Sequence, residues 1–270
     1  MAAKLCGIPC TAMMAGLGYA FTSPTLSARL ARVLYRMGLS CTSQLLLLNH
    51  DNERRVVESH LCDPRKITVL EGGEGVDCQR FQPQDNQSEQ TTFLFIGRVL
   101  WEKGYGEFVK AAEMVKQESP ETCFQVLGAL DPSYPNSVPE ERVKADMERG
   151  IIEYRGFLKD MAPIYRQKGL VITLPSYYGE GMNRSLMEAC ASGKPIITTD
   201  IAGCRELVDE GRNGYIVPTR DVQRLAEAMR RYIQLEPEEK LALSRHSRKM
   251  AEERFNIEEV IKIYESILSK

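Results

Sequence analysis

Two stretches hold side chains whose types and spacing suit work on a diphosphate. The first is Leu174-Pro-Ser-Tyr-Tyr-Gly-Glu-Gly-Met-Asn-Arg-Ser-Leu-Met-Glu-Ala189. An apolar run ends at Pro175, a polar loop with Gly179 and Gly181 follows, and a helical pattern opens near Asn183. A helix start offers unpaired N–H groups and the positive end of the helix dipole, which together suit phosphate. Glu180 lies in the loop and Glu188 about a turn inside the helix. A carboxylate beside a phosphate site repels phosphate but can take paired hydrogen bonds from vicinal sugar hydroxyls. The pair therefore suits a sugar nucleotide. The same stretch also reads as an ordinary helix start with nearby acidic residues, which the dipole favours in any case.

The second stretch is Phe95-Ile-Gly-Arg-Val-Leu-Trp-Glu-Lys-Gly104, another apolar run ending in a loop, here with the cations Arg98 and Lys103. If both loops leave the same edge of a parallel sheet, the two cations reach one diphosphate, each charged hydrogen bond contributing about 1.5–3 kcal/mol. As isolated residues they also read as solvated loop charges.

The elements needed to place these loops are legible. Apolar, strand-length runs occur at 44–49, 66–70, 92–98, 123–128, 151–154, 170–175, 195–199 and 214–217. Most are continuous rather than alternating, as in strands buried on both faces of a parallel sheet. Helical patterns lie between them at 106–117, 140–149, 161–167, 183–192 and 222–233, which predicts an α/β fold. Two charged amphipathic helices close the chain. Turn formers and polar residues from Gly72 to Ser88 mark a boundary. The expected division is a partial first half over 1–75, a linker over 76–90, a donor-binding half over 91–252, and a C-terminal helix over 253–270 that packs back on the first half.

Composition excludes several classes. The 270 residues carry 35 Lys and Arg against 37 Asp and Glu, so no basic excess suits nucleic acid. No apolar run approaches a membrane span. The eight cysteines form no Cys-x-x-Cys pair and only three histidines occur, so reduced thiols serving as small core residues fit better than zinc. With no secretory pattern over Met1–Cys10, the expectation is a cytoplasmic protein. Arg29, Arg32 and Arg36 recur at helical spacing among Leu30, Val33, Leu34 and Met37. This is either an ordinary amphipathic surface helix or a patch for an anionic membrane surface or a phosphorylated acceptor. No Asp-x-Asp metal pair and no Gly-x-x-x-x-Gly-Lys-Ser/Thr loop is present.

With these loops in hand, the chain resembles glycosyltransferase family 4, on the GT-B fold of two Rossmann-like halves. Its nearest pattern is the branch that builds bacterial lipid-linked oligosaccharides and polysaccharides. That branch reads Leu-Pro-Ser-Tyr-x-x-Glu-Gly, then a Glu eight residues after the first, as Glu180 and Glu188 stand here. Gly193-Lys-Pro-Ile-Ile-Thr-Thr-Asp200, Gly203-Cys-Arg-Glu206, Asn213-Gly-Tyr-Ile-Val-Pro218, Gly75-Val-Asp77 with Phe81, and Gly16-Leu-Gly-Tyr19 extend the likeness over most of the chain.

The resemblance implies a retaining, metal-independent enzyme with no cofactor. It would move a hexose or N-acetylhexosamine from a UDP-sugar to a lipid-linked saccharide acceptor, peripheral on the inner membrane face. It implies that Arg98 and Lys103, beside Gly97, hold the diphosphate, and that Glu180 faces the donor sugar. Backbone N–H groups of Gly181, Met182 and Asn183 would surround sugar and phosphates, with Ser185 and Leu186 in the first helical turn beside them. Glu188 would bind the ribose, and Gly156, Phe157 and Leu158 the uracil. The branch usually has Leu-Pro where Met182-Asn183 stands, and many relatives carry a His where this chain has Ala15. The first half has about half the residues the family expects, which predicts a chain truncated at its start. Two alternatives stay open: a non-catalytic remnant that binds a sugar nucleotide, and a GT-B-like sugar-nucleotide epimerase.

Overall fold

The computed structural model describes residues 2–16, 25–84, 88, 90–134, 136–179 and 181–268. A three-stranded parallel sheet, ordered β1 (Thr11–Met14), β2 (Gln44–Leu47), β3 (Ile67–Val69), forms the first half. Helix α1 (Ala2–Leu5) precedes β1. Helices α2 (Leu26–Leu39) and α3 (His50–Glu58) connect the strands. Strand β1 is absent from the sequence-based expectations. It has only four residues, and just Met14 among them is buried, so it lacks the apolar run that marked the others.

The second half is a six-stranded parallel sheet. Its strands are β4 (Thr92–Ile96), β5 (Cys123–Leu127), β6 (Glu153–Tyr154), β7 (Leu170–Leu174), β8 (Ile196–Thr199) and β9 (Gly214–Val217). They lie in the order β6-β5-β4-β7-β8-β9. Helices α4 (Tyr105–Lys116), α5 (Glu140–Glu148), α6 (Ala162–Tyr165), α7 (Arg184–Ala191) and α8 (Val222–Ile233) alternate with them. Strand order runs one way from β4 to β6 and the other way from β7 to β9. The pair β4 and β7 is therefore the switch point, and a crevice opens beyond its C-terminal ends.

Every residue of β4 and β7 is buried, which is why these strands read as continuous apolar runs. Strand β2 shows the same logic across two cores. Leu45 and Leu47 pack with Met14, Leu39, Val56 and Leu61, while Leu46 and Leu48 join the main core on the other face.

The chain crosses between halves twice, and the crossings are bonded together. Val76 N–H donates to Phe255 O (2.7 Å), and Ile257 N–H donates to Val76 O (3.1 Å). The closing helices are α9 (Pro237–Arg254) and α10 (Ile257–Leu268). Tyr264 of α10 reaches Met13 of β1, its Oη 3.2 Å from Sδ. Among the described residues no helix is long and apolar enough to cross a membrane.

Candidate functional site

The crevice is built from the loops after β4 and β7, which the chain locks together. Tyr177 N–H donates to Glu102 O at 2.9 Å. Gly104 lies so close to Pro175 that a Cβ would overlap its carbonyl oxygen, and its φ of +84° also favours glycine. The structure thus brings Arg98 and Lys103 to the same sheet edge as the Tyr177–Asn183 segment. Glu180 lies outside the described residues.

Each cation rests on an aromatic ring. The Arg98 guanidinium lies 4.5 Å from the Tyr134 ring centroid, and the Lys103 ammonium 5.2 Å from that of Tyr178. The two rings are themselves linked by a Tyr134–Tyr178 hydrogen bond. Burial first, then that bond, pushes the Tyr178 phenol up to about 12, so it stays neutral at physiological pH. Arg98 is exposed and Lys103 is buried, 7% accessible. Cation–π contact holds both side chains at the crevice edge. Gly97, with φ +137°, turns the chain out of β4, and space is open where its Cβ would stand.

Opposite, α7 begins with Asn183, whose Oδ1 accepts from Leu186 N–H at 3.1 Å. Its own N–H donates to Gly203 O at 2.8 Å. These bonds bear on two of the expected site residues. The Asn183 amide is bonded to Gly203 O, so Asn183 shapes the helix start. Leu186 has its amide on the cap and its side chain fully buried in the core. By helix geometry the first-turn amides of Arg184 and Ser185 lack intrahelical acceptors. Met182, 9% exposed, packs against the position of Gly73 and lines the cleft between halves. Gly181 is buried against the first half, its carbonyl oxygen accepting from the Asn49 side chain.

Glu188 is 7% exposed. Arg184 Nε donates to its Oε1 at 3.1 Å, and Tyr165 Oη lies 3.5 Å from its Oε2. Tyr165 Oη donates to Ser185 O at 2.8 Å, which fixes the turn carrying both residues. Burial raises the Glu188 pKa, and Arg184, Tyr165 and Arg80 act against that rise. Arg80 also pairs with Asp160 at 2.8 Å, tying the linker to the loop after β6. In that loop Gly156 has φ +71° and its carbonyl accepts from Gly128 N–H at 2.8 Å. Phe157 and Leu158 are 68% and 38% exposed, apolar groups held out at the same edge. Sequence reasoning missed Tyr134, Tyr165, Arg80 and Asn49. The Tyr177-Tyr178 pair stood in a loop already singled out. The other partners come from distant segments that only the sheet brings together.

Between the halves lies a cleft of about 730 Å³, lined by Asn49, His50, Asp51 and Glu71 from one side and Arg205 and Arg254 from the other. The hydrogen bond with Glu53 raises the His50 pKa, burial acts against it, and the charges of Glu53 and Glu71 add to the rise.

Comparison with known proteins agrees with this architecture. The family model described as "Glycosyl transferases group 1" matches residues 90–234, just over half of the chain. An N,N'-diacetylbacillosaminyl-diphospho-undecaprenol alpha-1,3-N-acetylgalactosaminyltransferase of Campylobacter jejuni is 28% identical over 84% of this chain. A UDP-Gal:alpha-D-GlcNAc-diphosphoundecaprenol alpha-1,3-galactosyltransferase of Escherichia coli is 26% identical over 85%. The chain spans 62% and 61% of the length of those two relatives. The Anabaena HepE structure, solved with UDP, superposes with a TM-score of 0.81 at 16% identity, covering 100% of this chain and 74% of that one. The fold is therefore GT-B-like, and the chain belongs to the group 1 glycosyltransferases.

Proposed function

We propose that this chain moves a hexose or N-acetylhexosamine from a UDP-sugar to a lipid-linked saccharide, with retention at the anomeric carbon and without a metal ion. The carrying observation is the crevice at the β4–β7 switch point. Two ring-supported cations face a capped helix start there, with a buried carboxylate one turn further on. On this reading Arg98 and Lys103 take the diphosphate, assisted by the Arg184 and Ser185 amides. Glu188 receives the ribose hydroxyls once Arg184, an exposed side chain, swings aside. The Gly156–Leu158 loop covers the uracil, and Glu180 faces the sugar.

In the transfer, the bond between the anomeric carbon and the diphosphate oxygen breaks, and its electron pair stays on the phosphate. The acceptor hydroxyl oxygen bonds to that carbon from the same face, and its proton passes to the departing phosphate oxygen. Fixed cations and N–H dipoles stabilise the negative charge that develops, one such donor contributing about 3 kcal/mol to lowering the barrier. The reactions named for the C. jejuni and E. coli relatives support the acceptor class. The cleft of about 730 Å³ between the halves is large enough for a saccharide.

Helix α2 supports a seat on the inner membrane face. Its Leu39 packs with Met14, Leu45 and Leu47 of the sheet and its Ala28 is buried, while Leu26, Leu30, Val33, Leu34 and Met37 stand exposed beside Arg29, Arg32 and Arg36. The test is transfer of labelled sugar from UDP-sugars to a polyprenyl-diphosphate saccharide in the presence of EDTA. Retained anomeric configuration in the product is expected. Binding of UDP-sugar without transfer would instead identify a donor-binding module.

A further inference from the structure

The C-terminal ends of β1 and β2 bear directly on the loop that starts α7. Asn49, 3% exposed, does two things at once. Its Oδ1 accepts from Asn52 N–H at 2.8 Å and starts α3. Its Nδ2 donates to the Gly181 carbonyl oxygen in the other half. On the same loop, a Cβ at Gly181 would overlap the Ala15 carbonyl oxygen, so only glycine lets the two backbones meet here. Two residues beyond Asn49, Asp51 pairs with Arg205, which also holds Asp200 just past β8.

A trans peptide is planar, with its C=O and N–H on opposite sides. By holding the Gly181 carbonyl, Asn49 therefore turns the Met182 N–H away from the first half and fixes the plane of that peptide. The Met182 peptide leads directly into the Asn183 cap. We infer that Asn49 is a positioning residue for the donor loop, and that with the Asp51–Arg205 bridge it makes the shape of that loop depend on its contacts with the first half. This rests on the donor reading of the crevice proposed above.

The test is equilibrium binding of UDP, followed through Trp101. It is the chain's one tryptophan, two residues before Lys103 and 36% exposed. Asn49→Asp keeps an oxygen for the Asn52 N–H but replaces the amide donor with a carboxylate facing a carbonyl. The expected result is UDP binding weakened about tenfold, the loss of roughly one hydrogen bond's contribution, measured well below the lowered unfolding temperature that a buried carboxylate facing a carbonyl brings, where the variant is still folded. Asp51→Asn, which keeps the shape and removes the charge, is expected to weaken UDP binding in low salt and to match wild type in high salt. If Asn49→Ala weakens binding but Asn49→Asp does not, the side chain serves only as a helix cap and the inference is overturned. Unchanged affinity in both Asn49→Asp and Asp51→Asn overturns it as well. A wild-type chain that binds no UDP removes the donor reading itself, a distinct failure.

Discussion

Glu188 is a carboxylate placed where its charge is disfavoured. Burial raises its pKa more than Arg184, Tyr165 and Arg80 lower it, so the folded state holds that proton more tightly than the unfolded chain does. Stability then falls as pH rises from the unfolded carboxylate value through the raised folded one. Glu188→Gln removes this dependence. The variant is expected to unfold at a higher temperature than wild type at neutral pH, to lose that advantage in acid, and to bind UDP more weakly. Thermal melts across pH check the first two, and calorimetry the third. A residue that costs stability yet gives up affinity when neutralised is the behaviour expected of a binding group.

At this scale the sequence announced the charged residues but not their supports. Arg98, Lys103 and Glu188 stand in loops or first turns with recognisable spacing. The rings beneath the cations, Tyr134 and Tyr178, arrive from the loops after β5 and β7. Their pairing depends on strand order, which spacing does not encode. The burial of the Leu186 side chain is hidden for a similar reason, since only the helix's rotation decides which first-turn side chain enters the core.

Elements position the site through a few concentrated contacts. Asn183 is a side-chain cap for α7, and Asn183→Ala is expected to cost about 1 kcal/mol of stability in denaturant unfolding. Arg248 of α9 matters more. Its Nη1 lies 3.0 Å from Cys78 O, 2.9 Å from Phe81 O and 2.7 Å from Ala191 O, joining the linker, the tail and the end of α7. The side chain is 15% exposed, so Arg248→Ala leaves acceptors buried and is expected to cost about 3 kcal/mol. Urea unfolding measures this, and a cost below that of a surface substitution would contradict it.

The strands of the second half were legible because burial on both faces makes them continuously apolar, as Thr92–Ile96 and Leu170–Leu174 show. Strand Thr11–Met14 gave no such signal, since it forms the outer strand of its sheet with two exposed residues. Helix Leu26–Leu39 was legible as amphipathic. Its apolar stripe, however, is turned away from the sheet, which the pattern alone leaves open.

For the whole molecule, the arrangement of the halves decides how complete the site is. Gly181→Ala places a Cβ on the Ala15 carbonyl and is expected to part the halves, seen as a larger radius of gyration in small-angle scattering together with weaker UDP binding. An unchanged radius would mean the loop yields instead. The return of α10 to Met13 and the paired crossings at Val76 and Phe255 hold the halves as one body despite the short first sheet. The linker was legible from its glycines, whereas the bonds that stitch it to the tail join segments far apart in the chain.

The most direct measurement is calorimetric titration of UDP into the intact chain, the Lys103→Ala variant and the Glu188→Ala variant, all in EDTA. The convergence of cation loop and helix start predicts binding by the intact chain, with each variant weakened by about tenfold or more. UDP affinity indifferent to both substitutions would contradict it.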